Sequence, residues 1–327
     1  MSNILSISKN DYNLHNINLE RNISDLIKFI ACIMVALSHY AGYYLVTISP
    51  HNILWKLVAA NFGYIGVALF FFLSGYGLAK SDQKLQLPFI EYFKRRIVKV
   101  YLPAVLVSLI WCILNLILFG YSNPDNLLCN QKYLLGIFWL FNDEVMWFVR
   151  TILFLYLCFY IYTHLSKWLI DSRSVLLLLL LAVLSTLIVA YLNLGDPISV
   201  PLFFFGIFIV RYPKYLKKCL HLRWVFWIII VSIVAIYFFI LPNNRILHGI
   251  INYSIIYILI VVLGNWNISI SRLPSWIGSY SYDLYLVHYK VHLLLVYLLG
   301  VDKFFYFLCG TFLATALFNR LRKLLHL

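Results

Sequence analysis

Apolar runs of about 17–25 residues recur along this chain, each long enough to cross a hydrocarbon core of about 30 Å as a helix. That recurrence leaves few folds open. Inside lipid every backbone N–H and C=O must be paired within the protein, and a helix does this within one segment. The sequence therefore predicts an all-α, polytopic transmembrane bundle of about ten spans. They fall at 26–46, 62–79, 97–119, 145–163, 174–193, 198–211, 224–241, 247–264, 283–300 and 303–319. The run at 198–211 is short and suits a half-helix. The run at 133–141 (YLLGIFWLF) is too short to span and suits a re-entrant or interfacial segment. In 327 residues these spans leave almost nothing for a separate soluble unit, so residues 1–327 read as one integral membrane domain with a short cytoplasmic tail at 1–25.

Charge sets the orientation. The chain is 63% hydrophobic and 12% charged, with a mean hydropathy of +0.87 and a net charge of +14. In a soluble protein that charge would point to nucleic acid. Here the basic residues sit in short loops between apolar runs, which excludes nucleic acid and gives the positive-inside pattern. Lys80, Lys84, Lys94, Arg95, Arg96 and Lys99 follow the second run; Arg211, Lys214, Lys217, Lys218 and Arg223 follow the sixth; Arg320, Arg322 and Lys323 close the chain. The alternate loops carry little beyond Lys56, Lys132, Arg245 and Lys303. The first set is predicted cytoplasmic together with both termini, which an even number of spans satisfies. The expected location is the cytoplasmic membrane, crossed many times. Most of the cysteines, Cys32, Cys112, Cys129, Cys158, Cys219 and Cys309, lie inside apolar runs, and they show neither metal nor disulfide spacing. The first run follows about 25 mostly polar residues and lacks a small-residue cleavage site, unlike a cleaved signal.

Ionisable groups within spans are costly and face a protein interior or a watery cavity. The sequence places Lys28 and His39 in the first span, Arg150 in the fourth, and Asp283, His288, Lys290 and His292 in the ninth. Each also admits a plain structural role; Lys28, near a helix end, suits a snorkelling lysine. Lys28 and His39 are eleven positions apart, so they share one helix face about 16 Å apart along the axis, with Asp25 close to the same face. One face thus offers a cation at the mouth and an imidazole deeper in. That arrangement suits a long donor with phosphates at one end and a reactive tip at the other, the shape of an acyl-coenzyme A. An imidazole, with an ordinary pKa of about 6.5, has a neutral form able to take a proton from a hydroxyl attacking a thioester.

These residues carry a resemblance. Asp25-Leu-Ile-Lys28, ten further residues and His39 resemble the first helix of the acyltransferase 3 family of integral membrane O-acyltransferases, where an arginine occupies the Lys28 position. FFFLSGYGLAKS, with Ser74 and Gly75, resembles the end of that family's second helix; FKRRIVKVYLP, with Arg95, Arg96, Lys99 and Pro103, resembles its basic loop. Trp147-Phe148 leading to Arg150 resembles a later helix start, and WIGSYSYDLYLVH, with Gly278, Ser281, Tyr282, Tyr285 and His288, resembles its Gly-x-x-Ser-Tyr-x-x-Tyr-Leu-x-His pattern. The matches run in order from about residue 21 to 289.

The resemblance implies a cytoplasmic acyl-CoA donor, acetyl-CoA above all, and an envelope glycan acceptor. It also implies His39 as general base, Lys28 with Arg95 and Arg96 on the donor phosphates, and a pocket of Asp25, Ser74, Trp147, Tyr282, Tyr285 and His288. Arg150 is expected to stabilise oxyanion charge or hold the acceptor, or else to pair with a carboxylate such as Glu144. No metal is called for. Arg95 and Arg96 also fit simple topology. Some relatives carry an extracytoplasmic hydrolase-like domain; the chain ends about eight residues past its last expected run, so either direct transfer to the acceptor or the help of a separate partner is expected, direct transfer being preferred. The main rival function is a transporter or flippase for an envelope lipid or sugar, which intramembrane charges also suit. No two related halves of the kind transporters show are visible in the sequence. A membrane scaffold would leave the buried charges unexplained.

Overall fold

The structure is a computed structural model and describes residues 19–47, 51–84, 87–119, 146–215, 245–265, 274, 276–299 and 303–326. Among the described residues every regular element is a helix. We number them α1 (Arg21–Thr47), α2 (Ile53–Lys84), α3 (Phe89–Tyr92), α4 (Lys99–Phe119), α5 (Trp147–Leu165), α6 (Asp171–Tyr191), α7 (Val200–Arg211), α8 (Arg245–Asn265), α9 (Trp276–Leu299) and α10 (Phe304–Leu324). The expected run at 224–241, the segment at 133–141, Cys129, Cys219 and Glu144 lie outside the described residues.

Every other predicted run has a helix over it. Among the described residues six stretches are long and apolar enough to cross a membrane: Arg21–Val46, Ile53–Gln83, Phe89–Leu114, Trp147–Trp168, Asp171–Tyr191 and Phe304–Leu324. Val200–Arg211 and His248–Ile260 are shorter apolar helical stretches. The long α9 is not among the six, because Asp283, His288, Lys290 and His292 interrupt its apolar character. The chain is a multi-pass membrane protein, all-helical in its regular elements among the described residues.

The bundle is organised around α1, which packs against α2 and α9; α2 packs in turn against α7 and α8, and α9 against α10. The closest crossing is that of α2 and α7. A Cβ on Gly75 would stand 1.9 Å from the Phe203 carbonyl oxygen, and one on Gly206 would stand 2.3 Å from that of Phe72. Two glycines facing each other let the backbones touch, as small residues do at helix interfaces in lipid. The Ser-Gly of the FFFLSGYG segment thus divides its labour: Gly75 makes the crossing and frees Ser74 for another face.

One end of the bundle gathers the charge. Ion pairs cluster there: Asp25 with Arg21 and Lys28, Arg95 with Glu91, Arg211 with Asp82, Lys214 with Asp171, and Arg322 with Asp283. The hydrogen bond from Lys214 to the Asp171 carboxylate raises the ammonium's pKa above its ordinary value. A π-type turn, Phe93–Val98, leads into α4 at this basic end. It precedes Pro103, whose ring needs room against the carbonyl four residues back, that of Lys99.

Candidate active site

From the basic end a cavity of about 420 Å³ runs into the bundle between α1, α2, α4, α5 and α9. Lys28 and Arg96 supply its cations; Ser74, Tyr156, Ser281 and Tyr282 supply hydroxyls; Phe70, Phe148 and Tyr285 are among its aromatic walls. Five of the residues expected to bind the donor or line the pocket therefore meet in one place, Lys28, Ser74, Arg96, Tyr282 and Tyr285, joined by Phe148 and Ser281 of the quoted motifs.

Several of the lining residues are held by identifiable bonds. Lys28 Nζ stands 3.6 Å from Asp25 Oδ1. Asp25 in turn lies against α9 where Gly278 leaves room, since a Cβ there would come within 2.6 Å of Asp25 Oδ2. The glycine opening the α9 motif thus makes space for the carboxylate that positions the α1 cation. Arg96 donates to Ser81 Oγ on α2. Tyr282 donates its hydroxyl to the Val100 carbonyl at 2.6 Å, tying α9 to α4 across the cavity. Ser281 Oγ donates to the Gly278 carbonyl at 3.2 Å, and Cys32 donates its thiol to the Ser281 carbonyl at 2.5 Å.

Other expected residues stand elsewhere. Arg95 is half-exposed, paired with Glu91, and does not line the cavity. The π-type turn carries both arginines, yet only Arg96 joins the cavity. Trp147 packs against Gly195 beyond the cavity, while its neighbour Phe148 faces in. Arg150 lies on α5, half-buried, and is not among the lining residues; its suggested partner Glu144 is outside the described residues. Asp283 belongs to a structural clamp: fully buried, it accepts from Asn319 Nδ2 at 2.5 Å and stands 3.2 Å from Arg322.

His39 lies past the cavity's inner end, and its partner is the histidine of the α9 motif. The His39 and His288 rings are 5.3 Å apart centre to centre, and His39 stands the same 5.3 Å from the Tyr289 ring. Tyr285 is the partition. It lines the cavity on one side, and its ring is 5.2 Å from Phe148, 6.2 Å from Phe70 and 5.8 Å from His288. A basic mouth, a cavity, an aromatic partition and a histidine pair therefore succeed one another along the axis. Such a series suits a long anionic-headed molecule whose reactive tip meets a proton acceptor.

Sequence reasoning missed Tyr156, which lines the cavity and hydrogen-bonds Ser74. It also missed the wall residues Phe70 and Ile152. Their signal is weak, because an aromatic or aliphatic residue in an apolar run reads as core.

With this geometry in hand, comparison with known proteins gives one match. A family model described as an acyltransferase domain covers residues 21–318, from the first residue of α1 into α10. No curated protein and no solved structure matches the chain.

Proposed function

The chain belongs to the acyltransferase domain family, and from that membership we propose that it moves an acyl group, acetyl in particular, from cytoplasmic acyl-CoA to a hydroxyl of a cell-envelope polysaccharide or its lipid-linked precursor. The observation that carries this reading is the single cavity with Lys28 and Arg96 at its basic end and Tyr285 at the other. The two cations suit the donor's phosphates. The apolar and aromatic walls suit the uncharged arm of the donor. The thioester then arrives at Tyr285, whose ring must swing aside for the tip to meet His39.

At that point the acceptor hydroxyl oxygen attacks the thioester carbon. A C–O bond forms and the C–S bond breaks. The hydroxyl proton passes to His39, and from His39 to the leaving thiolate. General-base help of this type contributes about 10²–10⁴-fold. Both termini, on this reading, lie in the cytoplasm with the basic end.

Washed membranes containing the protein, given acetyl-CoA labelled in its acetyl group together with envelope polysaccharide, test the proposal. The expected result is alkali-labile label on the sugar and an equal release of free thiol. Passage of glycan across sealed vesicles with no label on it would replace acyl transfer by transport.

A further inference from the structure

His288 is fully buried, and its ring is held at one nitrogen only. Nδ1 lies 2.7 Å from the Tyr285 carbonyl and 3.3 Å from that of Leu284. Carbonyl oxygens only accept, so Nδ1 carries the proton and Nε2 carries a lone pair. That Nε2 is buried and has no hydrogen-bond partner among the described residues. An acceptor left unmatched in this way costs free energy and calls for an explanation. The nearest titratable ring is His39, 5.3 Å away centre to centre and inclined at 40°. Ring nitrogens lie roughly 1.1 Å from the ring centre, so at this spacing a turn of the His39 ring that points one nitrogen at His288 Nε2 brings the two to about 3 Å, a hydrogen-bond distance. The other groups around the pair are aromatic or imidazole: Tyr285 and Tyr289 beside the two rings, and His292 one turn further along α9 against Tyr40 and Tyr43.

We propose that His288 is a positioning residue whose Nε2, once the His39 ring turns toward it, accepts the N–H of His39 and thereby holds His39 in one tautomer, with the lone pair of its other nitrogen turned to the acceptor hydroxyl. The inference rests on the acyl-transfer reading for its purpose but not for its geometry. The backbone of α9 sets the chain of command: the Tyr285 carbonyl fixes the proton on His288, and the lone pair of His288 fixes the proton on His39. When His39 takes the hydroxyl proton it becomes a double donor, and His288 is the acceptor for the N–H turned away from the substrate. Without His288, a neutral His39 would divide between two tautomers and present an N–H to the hydroxyl part of the time.

The test uses the full chain labelled with ¹⁵N-histidine, in lipid nanodiscs, with His39 and His288 assigned from His39→Gln and His288→Gln. Nitrogen shifts report tautomers directly. The expected wild-type result is an Nδ1–H tautomer at His288 and a single tautomer at His39. His288→Asn places its amide near the Tyr285 carbonyl but has no atom at the Nε2 position, so His39 should average between tautomers. His288→Gln brings a carbonyl oxygen to the Nε2 position and should keep His39 in one tautomer. In turnover with acetyl-CoA, His288→Asn should lose roughly ten- to hundredfold in kcat, less than the full contribution of a general base because His39 remains, with KM for acetyl-CoA unchanged; His288→Gln should lose less. A purely structural His288 predicts the opposite ranking, since Asn preserves the buried bond to Tyr285. An Nε2–H tautomer at His288, or a His39 whose tautomer is the same in His288→Asn and wild type, overturns the proposal. Tautomers are read without turnover, so a chain that shows the expected pattern yet releases no thiol from acetyl-CoA removes the acyl-transfer reading and leaves the histidine pair standing.

Discussion

At the scale of single residues, the α1 face was open to inspection in the sequence. Eleven positions at about 100° each bring Lys28 and His39 to one side of a helix, and only an interior or cavity tolerates such groups in lipid. His39→Gln and His39→Ala should both abolish acetylation while the protein stays inserted and abundant, because neither side chain accepts a proton at neutral pH. Acetate per sugar repeat, normalised to membrane protein, is the measurement; near-normal acetylation in His39→Gln would remove His39 from the chemistry. Lys28→Ala should raise KM for acetyl-CoA by tenfold or more, since a charge-assisted bond of about 1.5–3 kcal/mol is lost. Lys28→Arg should retain activity, because the guanidinium keeps the charge and adds a fork. Steady-state kinetics on the two variants checks the pair; loss of activity in Lys28→Arg with none in Lys28→Ala defeats the phosphate role. What the sequence hid was the division between Arg95 and Arg96. Two adjacent arginines look alike until the π-type turn leaves one against Glu91 and brings the other to the cavity.

Among elements, existence was legible and extent was not. The apolar run 62–79 lies inside a 32-residue α2 that reaches from Ile53 to Lys84. At 1.5 Å per residue that helix is about 48 Å long. Hydropathy marks only the lipid-facing middle, whereas helical hydrogen bonding continues through the amphipathic ends. The same reason moves the start of α9 from 283 back to Trp276. Glycines were legible as motif letters, but their partners were not. Nothing in the local sequence says that Gly278 faces Asp25 or that Gly75 faces Phe203, since those contacts depend on how helices distant in sequence cross. The α9–α10 pairing also escaped notice, because Asp283 and Arg322 are remote in sequence. Asp283 is fully buried, so Arg322→Met should destabilise the fold by about 3–5 kcal/mol, the usual result of leaving one member of a buried pair behind. Combining it with Asp283→Leu should recover much of that loss, as read from thermal unfolding in detergent. A double variant no more stable than Arg322→Met would mean the pair is not what holds α9 to α10.

The whole molecule is polarised, with its described ion pairs and the mouth of its cavity at one end. If that end is cytoplasmic, a cysteine at Lys84 should resist a membrane-impermeant thiol reagent in intact cells, and one at Lys56 should react. The reverse labelling would invert the bundle and move the donor site to the wrong side of the membrane. The aromatic partition of Phe70, Phe148 and Tyr285 has a further consequence at this scale. A partly polar cavity open at one end and an imidazole pair beyond it would make two halves of a proton path, and among the described residues these three rings stand between them. An energised membrane spends its proton gradient through any such path left open. Apolar rings at that position would resist proton passage between the two, so on the acyl-transfer reading the partition opens to a donor and not to protons. Phe148→Ala should make proteoliposomes carrying the protein leak protons down an imposed gradient, seen as faster decay of a pH-dye signal than with the wild type; equal decay rates would show that the insulation lies elsewhere.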